Sequence, residues 1–288
     1  MDFNKQNSLS LFRGKSLKFS ESISFKHPTL SEIEELGEDR YNQLVSCLCT
    51  SSIDIADILW FDMKIWYEDI KDEWEFFIQR CVSNQKSLTI KNVEYNIIEN
   101  ECMVIDSTYR DALNYFLGTE GEYIVLEINS GNTTQKVLCN VIPYVKNNNI
   151  IYYTFDKNSF KFTKTFYESS KSFLDKINWM KRNYDYLKGG TKGAKKYILK
   201  NTLYKERKRE KKKEPNVTLE SIVSSLVAKG TSFCDIWDMP IYSIYDLYYR
   251  HIKIDDYKNT VSALYNGCID TKKNPINWEK INWANVIK

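Results

Sequence analysis

The sequence predicts an α+β protein in three parts: a mixed helix/strand N-terminal domain over residues 1–168, a basic helical linker over 169–215 and a small all-helical C-terminal domain over 216–288. Three observations predict it. Apolar residues recur at helical spacing near both ends of the chain. Between about residues 86 and 165 they fall instead into short, alternating, turn-bounded runs. The positive charge is concentrated between the two ends: Lys171 to Lys213 holds 16 Lys and Arg against 4 Asp and Glu, a local net of +12. From chain totals of 41 basic and 38 acidic residues this leaves 25 against 34 elsewhere, a net of −9. An acidic body is therefore crossed by one basic segment.

Taken in order, Phe19 to Phe25 alternates apolar and polar residues and reads as a short strand, stopped at His27-Pro28. Thr29 or Ser31 then caps a helix carrying Ile33, Leu36, Tyr41, Leu44, Val45 and Leu48, which Gly37 weakens without forbidding. A second helical block spans about Ile53 to Val82, anchored by Trp60, Trp66, Trp74, Phe77 and Ile78. Strands are expected at Leu88–Ile90, Val93–Ile98, Tyr123–Ile128, Lys136–Ile142 and Ile150–Phe155. The turns Asn129-Ser130-Gly131-Asn132 and Lys146-Asn147-Asn148-Asn149 suit hairpins. One helix, about Ser107 to Leu117, interrupts the strands and ends at Gly118.

In the basic segment Phe173, Ile177, Met180, Tyr184 and Leu187 step by 4, 3, 4 and 3, the stripe of one amphipathic helix. Gly189-Gly190 breaks it. The next helix carries Ala194, Tyr197, Ile198 and Leu203 and dissolves into the nearly all-charged Lys205 to Lys213, before Pro215. In the last region Thr218 caps a helix with Leu219, Ile222, Val223, Leu226 and Val227 on one face, closed by Gly230. Asp238 and Pro240 start another with Ile241, Ile244, Tyr245 and Tyr248. A third stretch carries Tyr257, Val261 and Leu264 before Gly267, and Trp278 and Trp283 pin the tail.

Composition narrows the function. Aromatic residues make up 14% of the chain, with 20 Tyr and 7 Trp. Such side chains suit interfaces as well as cores, because each joins an apolar body to a polar tip. The Lys-, Asn-, Ile- and Tyr-rich composition of an AT-rich genome supplies part of that excess. No apolar run approaches the roughly 18 residues that span a bilayer, and the first residues lack a charged-then-apolar export signal. The 7 cysteines are an odd number and scattered, as expected of reduced thiols in a cytosol.

A search for catalytic chemistry ends in an expected absence. The two histidines, His27 and His251, read as ordinary surface or capping residues, and nothing brings a cysteine to either. Cys47 and Cys49 diverge on a helix and have no second ligand pair, so no zinc site is expected. Gly189-Gly190-Thr191-Lys192-Gly193 lacks the spacing of a phosphate loop and reads as a helix break. Neighbouring acidic pairs such as Glu34-Glu35 and Asp255-Asp256 diverge too far for acid/base work. No catalytic residue, metal ligand or cofactor is expected.

Two surfaces remain. Tyr242, Tyr245, Tyr248 and Tyr249, with Trp237 just before them, surround one helix more completely than a single core-facing stripe requires. They are the candidate protein-interaction residues. The competing reading places their rings along a core with hydroxyls at its rim. The candidate basic surface is Lys205, Arg207, Lys208, Arg209, Lys211, Lys212 and Lys213. With interleaved tyrosines it suits nucleic acid, but no recognition fold frames it. A solvated linker helix that contacts an acidic surface, such as this protein's own body, is the favoured reading.

Two stretches resemble proteins encoded among the tail genes of tailed phages of Gram-positive bacteria, which look like tail assembly chaperones. The first runs from Lys26-His27-Pro28-Thr29-Leu30-Ser31-Glu32-Ile33-Glu34-Glu35-Leu36-Gly37 to Tyr41 and a Leu/Cys-rich helix. The second runs from Leu219, Ile222 and Ala228 into Ile236-Trp237-Asp238-Met239-Pro240-Ile241-Tyr242-Ser243-Ile244-Tyr245-Asp246-Leu247-Tyr248, with Arg250 after it. Met239-Pro240 departs from the Val or Leu of that pattern, and the strand-rich middle is not matched. The resemblance implies a non-enzymatic assembly protein in the host bacterial cytoplasm. Its partner would be the tape-measure or another tail protein, taken by helix-in-groove packing. A structural tail or baseplate subunit of the virion is the alternative, and a nucleic-acid-binding protein using residues 171–213 the second.

Overall fold

The computed structural model describes residues 8–19, 24–85, 87–90, 93–97, 102–118, 124–130, 133–138, 142–146, 149–154, 160–180, 184–211, 217–269 and 275–282. Its described part is a helix-rich α+β protein. The chain opens with α1 (Ser8–Phe12), then β1 (Leu17–Lys18) and β2 (Ser24–Phe25), a small antiparallel pair with Leu17 opposite Phe25. Of the strand expected over Phe19 to Phe25, β2 forms the end and β1 lies just before it, while residues 20–23 lie outside the described residues.

Thr29 caps α2 (Leu30–Leu36) through a reciprocal box: the Glu32 amide donates to Thr29 Oγ1 at 3.4 Å and the Thr29 amide to Glu32 Oε2 at 2.9 Å. The expected single helix beyond it is two, because Gly37 adopts φ 89° and divides α2 from α3 (Glu38–Cys49). A Cβ at Gly37 would meet nothing within 4 Å. Gly37→Ala is therefore expected to cost backbone strain alone, about 1–3 kcal/mol, measured as a fall in urea-unfolding free energy.

The block expected as one helix is also divided, into α4 (Ala56–Phe61), a 3-10 turn at Tyr67–Asp69 and α5 (Glu73–Cys81). Then follow β3 (Val82–Gln85), β4 (Ser87–Ile90), β5 (Val93–Ile97), β6 (Cys102–Ile105), α6 (Ser107–Leu117), β7 (Ile124–Ser130), β8 (Thr133–Leu138), β9 (Ile142–Lys146), β10 (Asn149–Thr154) and β11 (Phe160–Phe162). Two sheets result, with orders β4-β5-β10-β9 and β11-β7-β8-β6-β3. The β7/β8 hairpin pairs Ser130 with Thr133 and the β9/β10 hairpin pairs Lys146 with Asn149, at both expected turns. Their central residues, Gly131-Asn132 and Asn147-Asn148, lie outside the described residues, as do Ile98, Tyr123 and Phe155. Of the expected strand Lys136–Ile142, Lys136 to Leu138 end β8 and Ile142 opens β9, and residues 139–141 lie outside the described residues.

The amphipathic stripe ends early. Helix α7 (Lys164–Ile177) stops where the Asn178 side chain turns back on it: Nδ2 donates to the Leu174 carbonyl at 3.0 Å while Oδ1 accepts from the Tyr41 hydroxyl at 2.7 Å. Trp179 then takes φ 49°, and Leu187 falls in a separate 3-10 turn, Asp185–Lys188. The basic helix α8 (Lys192–Lys211) follows, then α9 (Leu219–Ala228), capped reciprocally by Thr218 and Ser221. After a 3-10 turn at Ile236–Asp238 comes α10 (Ile241–Tyr265) and a short α11 (Trp278–Ile281). The two helices expected over 241–264 are one, since no Gly or Pro interrupts them and Asp246 pairs with Arg250 at 2.6 Å one turn on. Trp283 lies outside the described residues.

One core takes side chains from α1, both small strands, α2, α3, α5, α6, α7, α9 and α10. Its centre is aromatic: Phe25 stacks on Phe116 at 5.0 Å and Phe77 on Tyr167 at 4.4 Å. The C-terminal helices are tied to the N-terminal ones through the main chain. The Leu30 amide donates to the Met239 carbonyl and the Ile241 amide to the Pro28 carbonyl, each at 3.0 Å. Gly14, at φ 72°, sits so close to Pro240 that a Cβ would come within 2.6 Å of its ring.

A smaller cluster joins Ala56, Leu59, Trp66, Tyr67 and Phe76 to Tyr186 and to Leu199 of α8. The Tyr186 hydroxyl donates to the Ile53 carbonyl at 2.6 Å. Lys196 lies over the rings of Trp60 and Trp66, at 5.0 and 5.3 Å.

Neither histidine sits where expected. His27 is buried among these elements, and His251 lies in the middle of α10. Cys47, Cys49 and Cys81 are free and buried, and burial pushes the Cys81 thiol up to about 12. Among the described residues no three His, Cys, Asp or Glu gather as a metal site. None of the described helices is long and apolar enough to cross a membrane.

Candidate protein-docking groove

Helix α9 carries apolar residues over more of its circumference than it buries completely. Leu219, Ile222 and Leu226 are buried, whereas Val223 on the flank stays half-exposed. Helix α2 repeats the arrangement, with Leu30 and Ile33 buried and Glu34 and Glu35 facing out. Glu38 fixes the spacing between the two: its Oε1 accepts the Leu219 amide at 3.1 Å, satisfying an otherwise orphan donor in the first turn of α9. Between them lies an open groove of about 400 Å³ lined by Leu30, Ile33, Leu219, Val223, Phe233 and Trp237. Glu34, Glu38 and Glu220 also line it, so an apolar floor carries acidic groups.

Phe233 and Trp237 form the end wall, their rings edge-to-face at 5.9 Å. Phe233 is 61% exposed, a large apolar ring that the fold itself leaves uncovered. It stands on the short turn between Gly230 and the 3-10 turn at Ile236–Asp238.

Of the candidate interaction residues only Trp237 lines this groove. The four tyrosines are half-buried on α10 and directed elsewhere. Tyr242, Tyr245 and Tyr248 pack against the main core. Trp179 takes the side of α10 that carries Tyr242 and Tyr249, stacking on Tyr249 at 5.0 Å and meeting Tyr242 at 5.9 Å. Burial drives the Tyr245 hydroxyl up to about 12, and that of Tyr242 is raised for the same reason.

Leu30, Ile33, Val223 and Phe233 are not among the interaction residues expected from the sequence, where Ile33 and Val223 read only as apolar helix positions. The signal that could have found them is Phe233 itself, an aromatic residue in a short polar turn with no periodic partner.

Of the candidate basic surface, Lys205, Arg207 and Lys208 are exposed on the second half of α8. Arg209 and Lys211 belong to the helix by backbone, and Lys212 and Lys213 lie outside the described residues. The first turns of α8 are held to the acidic body through Lys192–Asp69 at 3.3 Å and Lys195–Glu68.

The fold and its groove define a helix-rich α+β protein with an open, acid-lined apolar surface. A family model described as the YomV second domain matches residues 210–288. The match points to a phage-related protein. It covers α9, Phe233, Trp237 and α10, one side of the groove, whereas Leu30, Ile33, Glu34 and Glu38 come from outside it. No curated protein and no solved structure matches the chain.

Proposed function

We propose that this is a non-enzymatic phage tail assembly protein, chaperone-like, working in the host bacterial cytoplasm without a cofactor. Its groove takes an amphipathic helix from another tail protein, the tape-measure protein above all. The observation that carries the reading is the groove, where an exposed Phe233 beside a half-buried Trp237 lines a cavity with apolar side chains from two helices. An isolated tape-measure helix exposes apolar surface that aggregates. A groove of this kind covers such a surface reversibly, and Glu34 and Glu220 favour a helix flanked by Lys or Arg.

Co-expression with the tape-measure protein of the same phage tests this. The wild-type chain is expected to hold that protein soluble and to co-purify with it. Phe233→Glu, which places a charge on an already exposed position, is expected to abolish both while leaving the circular dichroism unchanged. Equal retention by the variant sinks the reading. Stoichiometric presence in purified virions, measured by mass spectrometry, would assign the chain instead to the tail or baseplate as a structural subunit.

A further inference from the structure

The groove asks for a helix with a narrow apolar stripe and basic flanks, and the chain itself carries one. On α8, Leu199 is buried, and Ile198 and Leu203 pack beside it on the Trp66 cluster. At 100° per residue Tyr197 and Tyr204, seven apart, fall on the opposite face, about 10 Å apart along the axis. They are 68% and 70% exposed, two aromatic rings that the fold leaves in water. Lys200, Lys205 and Lys208 are exposed beside them.

We infer that in the absence of a tail protein the groove is filled by the Tyr197/Tyr204 stripe of α8 from a second copy of this chain, giving head-to-tail association. This regulation rests on the docking reading above, since it concerns the same groove.

Charge complementarity chooses the occupant. The basic segment has a net of +12 and the rest of the chain −9, so one copy's helix is attracted to another copy's body. The stripe cannot reach the groove of its own molecule without leaving its seat, because Leu199, Lys196 and the Lys192–Asp69 pair hold the other face of α8 down. The interface joins two different surfaces, so it propagates into a chain or closes into a ring. Its effect is to cover Phe233 until a tail protein displaces the stripe. A single-stranded nucleic acid would also suit basic and aromatic residues. The first-turn lysines are already paired with carboxylates, however, and the apolar groove has no use in that reading.

Sedimentation velocity of the full chain tests the inference, over a concentration series at low salt and at about 0.5 M salt, where exposed charge pairs are screened. Wild type is expected to gain mass with concentration at low salt and to lose that gain at high salt. Tyr197→Glu/Tyr204→Glu and Phe233→Glu are each expected to stay monomeric alone. Mixed in equal amounts, they are expected to form a dimer and nothing larger, because one intact stripe then meets one intact groove.

A wild type that is monomeric throughout overturns the inference, as does a mixture that stays monomeric or a stripe variant that associates like wild type. Monomeric wild type that binds a single-stranded oligonucleotide, with about tenfold or greater loss in the stripe variant, also overturns it and assigns α8 to nucleic acid. The stripe variant is expected to retain the tape-measure protein. If wild type is monomeric and Phe233→Glu still abolishes that retention, self-association falls and the docking reading stands. If self-association is seen and no tape-measure protein is held, the docking reading falls instead.

Discussion

Ile244→Ala is expected to lower the unfolding free energy by about 2–5 kcal/mol, and to lower it for the N-terminal and C-terminal helices together. Ile244 has no exposed surface and lies on α10 in the core that also holds Phe25, Ile33, Leu44 and Phe116. Truncating it removes apolar contacts that the close-packed surroundings regain only in part. The second half of the expectation follows from what crosses the seam. Main-chain hydrogen bonds join Leu30 to Met239 and Ile241 to Pro28, and the Ser243 hydroxyl donates to the Phe12 carbonyl at 2.7 Å. Loosening α10 therefore removes partners from α1 and α2 at the same time. Hydrogen exchange reads the coupling directly, since slow amides of α3, α6 and α10 should lose protection by equal amounts. Loss confined to α9 and α10 would show that the C-terminal helices open on their own, as a separate domain would.

Local structure was legible where one residue decides it. Thr29 and Thr218 as caps, Gly118 as a terminator, Ser107–Leu117 as a helix and the two hairpin turns follow from side-chain chemistry within a few residues. Breaks decided by tertiary partners were not legible. Asn178 ends α7 because Tyr41, far away in sequence, holds its side chain. The β3, β6 and β11 strands are three or four residues long, too short to show alternation, and β3 follows α5 without a gap. The sequence pattern divides α10 in two because its middle, from Arg250 to Asp256, is mostly charged and carries no apolar stripe. The groove was hidden for a related reason. Its walls come from residues 30–38 and 219–237, and only their packing shows that Phe233 is left uncovered while the tyrosines of α10 are half-buried.

Lowering the pH from about 6.5 to about 4 is expected to remove up to about 3 kcal/mol of stability through His27 alone. The imidazole is 5% exposed and its ring lies edge-to-face with Phe173 at 5.7 Å. Neither ring nitrogen has a hydrogen-bond partner of normal geometry among the described residues. Burial brings its pKa down to about 4, outweighing the main chain at Lys15, which pulls the other way. The sign follows from which state takes the proton. Below 6.5 the unfolded chain binds it while the folded protein, holding a neutral ring, does not until about 4. Stability is thus fully present above 6.5 and falls as the pH drops through that window. Carboxylates held low by hydrogen bonds from lysine partners, Glu68, Asp72 and Asp255, begin to lose their contribution only as the pH falls into the ordinary carboxylate range, so they leave the upper part of the window to His27. His27→Met keeps the volume and removes both the titration and the unpartnered nitrogens. Its stability at pH 7 should equal or exceed that of wild type, and its melting temperature should stay flat between pH 6.5 and 5, where that of wild type declines. Because His27 precedes Pro28, whose carbonyl receives the Ile241 amide, the acid-induced loosening should appear first as exchange of that amide. A wild-type melting temperature that holds constant across the window would mean that the folded protein accepts the proton at His27 as readily as the unfolded chain does.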